Sequence, residues 1–217
     1  IVQGDNIVHV GGYGTAGGGR PVTPQTPFLV ASFSKSFTAL AVMQLVEAGK
    51  LRLDAPVQEY LPWFQADDPA AAHITLRHLL HQTSGFSELG GNIQNLDRDA
   101  SDGALEAGVR RLARARLNAP PGAQFEYSNT NYDILGLLIQ TVSGKPYEDY
   151  IQEHIFAPLK MVNSHTTLEA ARLGGLSSGY TSFFGLTFNY DRFMPYARSV
   201  APSAGLFASS EDMARYL

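Results

Sequence analysis

No cysteine occurs among the 217 residues of this sequence. Without a thiol, the chain can form no disulfide bond, no thiolate metal site and no cysteine nucleophile. Lysine is also scarce, with four copies at Lys35, Lys50, Lys145 and Lys160. The first of them stands within an otherwise apolar helical pattern.

An excess of positive charge and a long apolar run are absent as well. The formal net charge is −4 and the isoelectric point is near 5.8, so the chain lacks the electrostatic footprint of a nucleic-acid-binding protein. No stretch approaches the roughly 20 apolar residues of a membrane span. Residues 1–10 lack the charged start of a signal peptide and look like a strand entered midway, so we expect that a preceding segment was removed. We predict no nucleic-acid partner and no membrane span in this chain.

The composition is that of a folded protein, with 44% hydrophobic and 17% charged residues. Residues 1–30 look like a β-meander, with a strand at 7–10 and turn residues at 11–19. A long and mainly helical stretch follows. This order predicts an α+β protein in which a helical lobe is attached to a sheet.

The most regular stretch of the chain is residues 28–50. Residues 28–30 are expected to end a buried strand, and Gly49 is expected to stop the helix that follows. One face of that helix is apolar at spacings of three and four residues, through Phe37, Leu40, Ala41 and Leu45.

Ser32 stands where this strand turns into the helix, and Lys35 follows one helical turn later. A serine hydroxyl attacks a carbonyl at neutral pH only if a base takes its proton, and a lysine serves as that base only where its surroundings lower its pKa. On this short S-x-x-K pattern alone, a helix-capping serine followed by a solvated lysine is the favoured interpretation.

Two other patterns indicate ligand sites only superficially. Residues 12–17 match the dinucleotide fingerprint G-x-G-x-x-G, but Pro21 and Pro24 follow where a helix is required, so we predict a Gly-rich hairpin. His78 and His81 are spaced to share a metal ion, but no third ligand is close in the sequence. We therefore predict no metal site and no cofactor.

Further helices are predicted from caps, stops and apolar spacing, at residues 75–81, at 105–114, up to Gly144, from Pro146 to Phe156 and from Ser209 onward. Thr75 is the expected N-cap of the first of these. Arg110, Arg111 and Arg114 are interpreted as a solvated face. Residues 164–196 show no clear period.

A second polar pattern, Tyr127-Ser128-Asn129, changes the interpretation of Ser32. A tyrosine and an asparagine two residues apart in a turn can both point into one cleft, one to carry a proton and the other to form hydrogen bonds. Together with Ser32 and Lys35, this pattern resembles the serine β-lactamase and penicillin-binding protein superfamily. The similarity is greatest to class C β-lactamases, D,D-peptidases and β-lactamase-like esterases, and it extends through residues 31–57, 74–85, 125–136 and 202–213.

The resemblance implies roles for single residues. Ser32 is implied to be the nucleophile, Lys35 its activating partner and Tyr127 the proton relay that acts as base and acid, whereas Asn129 orients the substrate. The implied fold is an antiparallel sheet with a large helical lobe. Residues 1–217 are then one catalytic domain, with sheet strands and the nucleophile helix at 1–52, the helical lobe at 53–208 and the start of a return helix at 209–217. A periplasmic or secreted location and a small-molecule acyl substrate are implied as well.

Two features depart from the family pattern. The family's third motif, a triplet on a sheet strand after the helix of Asp212, does not occur before Leu217. By resemblance, the chain corresponds to the N-terminal part of the domain, and we expect an incomplete sheet that another chain could complete and an activity that this part alone could lack. Ala31 stands where the family often has Gly.

The leading hypothesis is a serine hydrolase that forms an acyl-Ser32 intermediate from an ester, a β-lactam or a D-amino-acid peptide. Aromatic residues of the irregular region, Phe183, Phe184, Phe188 and Tyr190, hint at an apolar acyl pocket, although plain packing is the commoner use of such residues. The alternative is a penicillin-binding sensor or partner-binding homologue that is acylated without turnover. A nicotinamide-binding protein is a distant third.

Overall fold

The computed structural model of the protein describes residues 1–4, 6–87, 99–189 and 196–217. Within these ranges the α-helices are α1 (Ser34–Glu47), α2 (Leu76–Leu80), α3 (Ala104–Arg110), α4 (Asn129–Ser143), α5 (Tyr147–Ile151), α6 (Leu168–Leu173), α7 (Ala201–Ala204) and α8 (Ser210–Tyr216). Helix α5 continues as a π-helix over Gln152–Phe156, so the predicted extent of this helix is confirmed.

The strands are short and pair antiparallel. They are β1 (Val2–Gln3), β2 (Asn6–Ile7), β3 (Phe28–Leu29), β4 (Tyr180–Phe183), β5 (Leu186–Asn189) and β6 (Phe207–Ala208). Strand β1 pairs with β2, β4 with β5, and β3 with β6. The chain is therefore an α+β protein, as predicted, and β6 brings it back from the helices to the sheet.

The predicted β-meander over residues 1–30 is wrong, because β3 pairs with β6 and not with β1 or β2. The prediction that β3 is buried is also wrong, since Phe28 is 42% exposed and Leu29 37% exposed. Strand β6 takes the inner position instead. Its residue Phe207 lies opposite Leu29 on one side and bridges to His165 on the other.

Helix ends follow the predicted signals. Helix α1 stops at Gly49, which has φ of +70°, and the amide of Lys50 donates to the carbonyl of Leu45 at 2.9 Å. Gly144 ends α4 in the same left-handed conformation. Ser209 caps α8, because its hydroxyl accepts a hydrogen bond from the amide of Asp212.

The core forms where helix α4 meets α1 and α7. Residues 129–139 of α4 are all buried, and its apolar members pack against Phe37, Val42 and Leu45 of α1. Gly136 allows α7 to approach closely: a Cβ atom at this position would lie 2.1 Å from Pro202 Cγ. The first turns of α4 are therefore held deep inside the protein, although they carry polar residues.

The Gly-rich segment is a hairpin, as predicted. Thr15 bridges to Pro21, and the amide of Ala16 donates to the carbonyl of Arg20 at 2.7 Å. No helix follows Gly17 to bind a pyrophosphate, because the next helical turn begins at Ala31. Among the described residues, no helix combines the length and apolarity that a membrane crossing requires.

Replacing Gly136 with Ala tests the contact between α4 and α7. A helical Gly→Ala change ordinarily stabilises by about 1 kcal/mol, but overpacking costs about 1–3 kcal/mol. Because the added Cβ atom would lie 2.1 Å from Pro202 Cγ, we expect overpacking to dominate and Gly136→Ala to lower the free energy of unfolding by up to about 2 kcal/mol in urea denaturation. The control is Gly103→Ala, where φ is −85° and nothing lies within 4 Å of the added methyl group. Stabilisation by Gly136→Ala would contradict the close packing.

Candidate active site

Ser32 lies in a single 3₁₀ turn, Ala31–Phe33, between β3 and α1. The turn begins at Ala31, whose φ of +47° is in the left-handed region. A residue with a Cβ atom adopts this conformation at a cost of about 1–2 kcal/mol, so glycine suits the position better. The sharp turn leaves Ser32 exposed at the start of the helix.

Lys35 lies one turn further along the helix and is buried, with 8% of its surface exposed. Its Nζ atom donates to Asn129 Oδ1 at 2.6 Å, to the Ser203 carbonyl at 2.7 Å and to Ser32 Oγ at 3.3 Å. Three acceptors match the three N–H bonds of an ammonium group. The solvated lysine considered for the short S-x-x-K pattern is therefore excluded.

Tyr127 completes the contacts of the serine. Its hydroxyl lies 2.6 Å from Ser32 Oγ, and its ring lies below Lys35, with 4.8 Å from Nζ to the ring centroid. The structure thus brings the four predicted residues, Ser32, Lys35, Tyr127 and Asn129, into one cluster. A hydroxyl that contacts both a phenol and an amine in this way can pass its proton to a neighbour as it attacks.

The turn that carries Tyr127 and Asn129 is held by Gln82, a residue to which the sequence analysis assigned no role. Gln82 Oε1 accepts from the Ser128 amide at 3.0 Å, and the Gln82 carbonyl accepts from the Glu126 amide at 2.8 Å. Both contacts join residues more than 40 positions apart. No local pattern signals such a contact.

Asp133 is a second residue that the sequence analysis missed. It is 1% exposed, and burial raises the pKa of its carboxyl group to about 7, although the nearby Ser203 hydroxyl, the Lys35 charge and the Ser203 amide lower it in part. An acidic residue four positions after Asn129, directly before the apolar run of residues 134–139, is the signal that could have found it.

The other candidates lie away from the cluster. His78 closes a capping box with Thr75, the predicted N-cap, and its Nδ1 accepts from the Thr75 amide at 3.2 Å. No group of three His, Asp or Glu residues in the described ranges could hold a metal ion.

The described aromatic side chains of the irregular region, Phe183 and Phe184, contact each other but lie on the surface. Phe183 and Phe184 are 66% and 92% exposed, because they lie at the tip of the hairpin formed by β4 and β5. The packing interpretation is therefore wrong for these two residues, and the acyl pocket stays a prediction. Tyr190 and the side chain of Phe188 lie outside the described residues.

Comparison with known proteins gives matches over the whole chain. The family model described as "Beta-lactamase" matches residues 1–217. Protein flp of Staphylococcus aureus is 35% identical over 173 residues, which are 78% of this chain and 34% of that protein. Penicillin-binding protein 4 of Amycolatopsis lactamdurans is 36% identical over 172 residues, 79% of this chain and 44% of that protein. The chain thus spans less than half of these relatives.

Solved structures share the fold. The octameric penicillin-binding protein homologue from Pyrococcus abyssi aligns with a TM-score of 0.82 and 32% identity, over 98% of this chain and 49% of that chain. D-amino acid amidase from Ochrobactrum anthropi aligns with a TM-score of 0.77 and 28% identity, over 94% and 57% respectively. The predicted family resemblance and fold are confirmed.

The buried carboxyl group makes stability depend on pH. Between pH 4 and 7, Asp133 keeps its proton in the folded chain and loses it in the unfolded chain, so stability falls as pH rises through this range. The shift from 3.8 to about 7 sets an upper limit of about 4 kcal/mol for this loss. We expect urea unfolding to show that Asp133→Asn stabilises the chain more at pH 8 than at pH 4.5, by about 2 kcal/mol.

The control is Asp149→Asn, the same substitution at an exposed position of α5. It is expected to change stability by less than about 0.5 kcal/mol at both pH values. An equal effect of Asp133→Asn at pH 4.5 and pH 8 would contradict the buried titration.

Proposed function

The chain belongs to the beta-lactamase family, and we propose on this premise that it is a serine hydrolase working by acyl transfer through an acyl-Ser32 intermediate. The observation that carries the proposal is the position of Ser32 Oγ, 2.6 Å from the Tyr127 hydroxyl and 3.3 Å from Lys35 Nζ. The chain covers part of its relatives' length, so the proposal concerns the chemistry of this cluster.

In the acylation step, Ser32 Oγ attacks the carbonyl carbon of the substrate. The serine proton passes to the Tyr127 oxygen, and Tyr127 delivers a proton to the leaving oxygen or nitrogen as its bond to the carbonyl carbon breaks. The positive charge of Lys35, 3.3 Å from Ser32 Oγ and 4.8 Å from the centre of the Tyr127 ring, favours the negative charge that develops on the serine and tyrosine oxygens. The product is an ester between Ser32 and the acyl group.

Hydrolysis of this ester uses the same relay in reverse. A water molecule attacks the acyl carbon and gives its proton to Tyr127, and Ser32 regains a proton as the acyl group leaves. Sustained product release distinguishes this enzyme from the alternative, a penicillin-binding sensor that stops after one acylation. Esters, β-lactams and D-amino-acid peptides all remain proposed substrates, and the amidase neighbour supports amides among them.

Asn129 has two proposed roles. Its Oδ1 atom holds Lys35 at 2.6 Å, which supports a function in fixing the ammonium group. Orientation of the substrate, the role implied by the family resemblance, stays a prediction, as do a periplasmic or secreted location and the completion of the sheet by another chain.

Tyr127→Phe tests the relay. Loss of the phenol removes the group that takes the serine proton, so we expect labelling of Ser32 by a fluorescent fluorophosphonate to slow by about 100-fold or more at pH 7.5. The control is Tyr13→Phe, which removes the hydroxyl of an exposed tyrosine that is distant from Tyr127 in the sequence. A labelling rate within about threefold of wild type would refute the assignment of Tyr127.

A further inference from the structure

A carboxyl group with no use in the proposed mechanism lies beneath the cluster. Asp133 is one helical turn after Asn129 on α4, so both side chains lie on the same side of this helix. Asp133 is 1% exposed, and neither of its oxygens makes a well-formed hydrogen bond within the described part of the chain. A buried carboxylate in this state is costly unless a cation balances it.

Three helices surround this carboxyl group. Helix α1 contributes Lys35, whose positive charge favours the ionised form of Asp133, and α7 contributes the Ser203 hydroxyl and amide. Helix α5 contributes Tyr147, whose hydroxyl lies 2.8 Å from Thr38 Oγ1. Burial raises the pKa of this phenol, so it stays neutral and adds no charge near Asp133. Among the described residues, Lys35 is the cation that acts on Asp133.

Ser203 links the two charged groups. Its hydroxyl donates to the Val200 carbonyl at 3.2 Å, and its carbonyl accepts a hydrogen bond from Lys35 Nζ at 2.7 Å. The dipoles of its hydroxyl and amide also favour the ionised form of Asp133. We propose that ionised Asp133 is a positioning residue that holds the Lys35 ammonium in place through charge and through Ser203, and so supports acylation at Ser32. The inference rests on the proposed function, because it assigns a residue to the same reaction.

The proposal predicts a pH dependence near neutrality. Because the pKa of Asp133 is about 7, the ionised fraction rises about tenfold between pH 6 and pH 8. Only the ionised form of Asp133 carries the negative charge that can compensate the positive charge of Lys35. The supporting effect of Asp133 on acylation therefore grows over this interval, even though the same ionisation lowers the stability of the fold.

Phosphonylation of Ser32 by a fluorophosphonate, in which Ser32 Oγ bonds to phosphorus and fluoride leaves, reports the same activation of Ser32 and is to be measured from pH 6 to pH 8 in wild type and Asp133→Asn. We expect the ratio of the wild-type rate to the variant rate to rise about fivefold to tenfold over this range, with the variant at least as stable as wild type in urea. The control Asp149→Asn should leave the ratio constant. A constant ratio for Asp133→Asn would overturn the proposal.

A second measurement does not depend on acylation. The 13C chemical shift of the Asp133 carboxyl carbon, assigned by its loss in Asp133→Asn, reports the ionisation of this group directly. Lys35→Gln keeps a polar side chain and removes the charge, so we expect the ionisation midpoint of Asp133 to move up by about one pH unit or more. An unchanged midpoint would overturn the link between Asp133 and Lys35.

The two measurements separate the possible failures. If neither wild type nor variant is labelled at Ser32, the proposed function fails, and the carbon titration still decides whether Asp133 and Lys35 interact. If labelling at Ser32 proceeds with the same pH dependence in both proteins, the proposed function stands and the role of Asp133 is refuted.

Discussion

The structure depends on the hydrogen bonds that the Lys35 ammonium group makes inside the protein. An unpaired cation at this depth would be expensive, and the chain surrounds it with acceptors from three places: Ser32 before α1, Asn129 at the start of α4 and the Ser203 carbonyl in α7. These bonds join parts of the chain up to 168 residues apart. The close packing of Gly136 against Pro202 brings α7 near enough for the carbonyl to take part.

Helix α4 combines the two requirements of this site. Its middle, residues 134–139, is apolar and buried, which anchors the helix in the core. Its first turns bury Asn129 and Asp133, and the burial of these polar side chains lowers the stability of the fold. The apolar middle of the helix thus offsets the cost of holding polar groups at fixed distances around Ser32, and unfavourable burial of this kind is typical of functional sites.

Many features of the fold and the site could be predicted from short sequence patterns. The stop at Gly49, the cap at Ser209 and the spacing of Ser32 and Lys35 depend on neighbouring residues, so the sequence revealed them. Two other features join segments that are distant in the sequence: the pairing of β3 with β6 and the contact of Gln82 with Ser128. No local sequence pattern predicts such contacts. Phe183 and Phe184 misled because exposed aromatic residues at a hairpin tip look like core residues in composition.

The most direct test of the account is to locate the covalent adduct. The intact mass of the chain is measured after exposure to a fluorophosphonate, followed by peptide mapping, with Ser32→Ala and Ser36→Ala as the compared variants; Ser36 is a nearby serine whose hydroxyl donates to the Phe33 carbonyl at 2.8 Å. The account predicts one adduct, on Ser32, that persists in Ser36→Ala and disappears in Ser32→Ala. An adduct on another residue, or none on a folded chain, would contradict the assignment of Ser32 as the nucleophile.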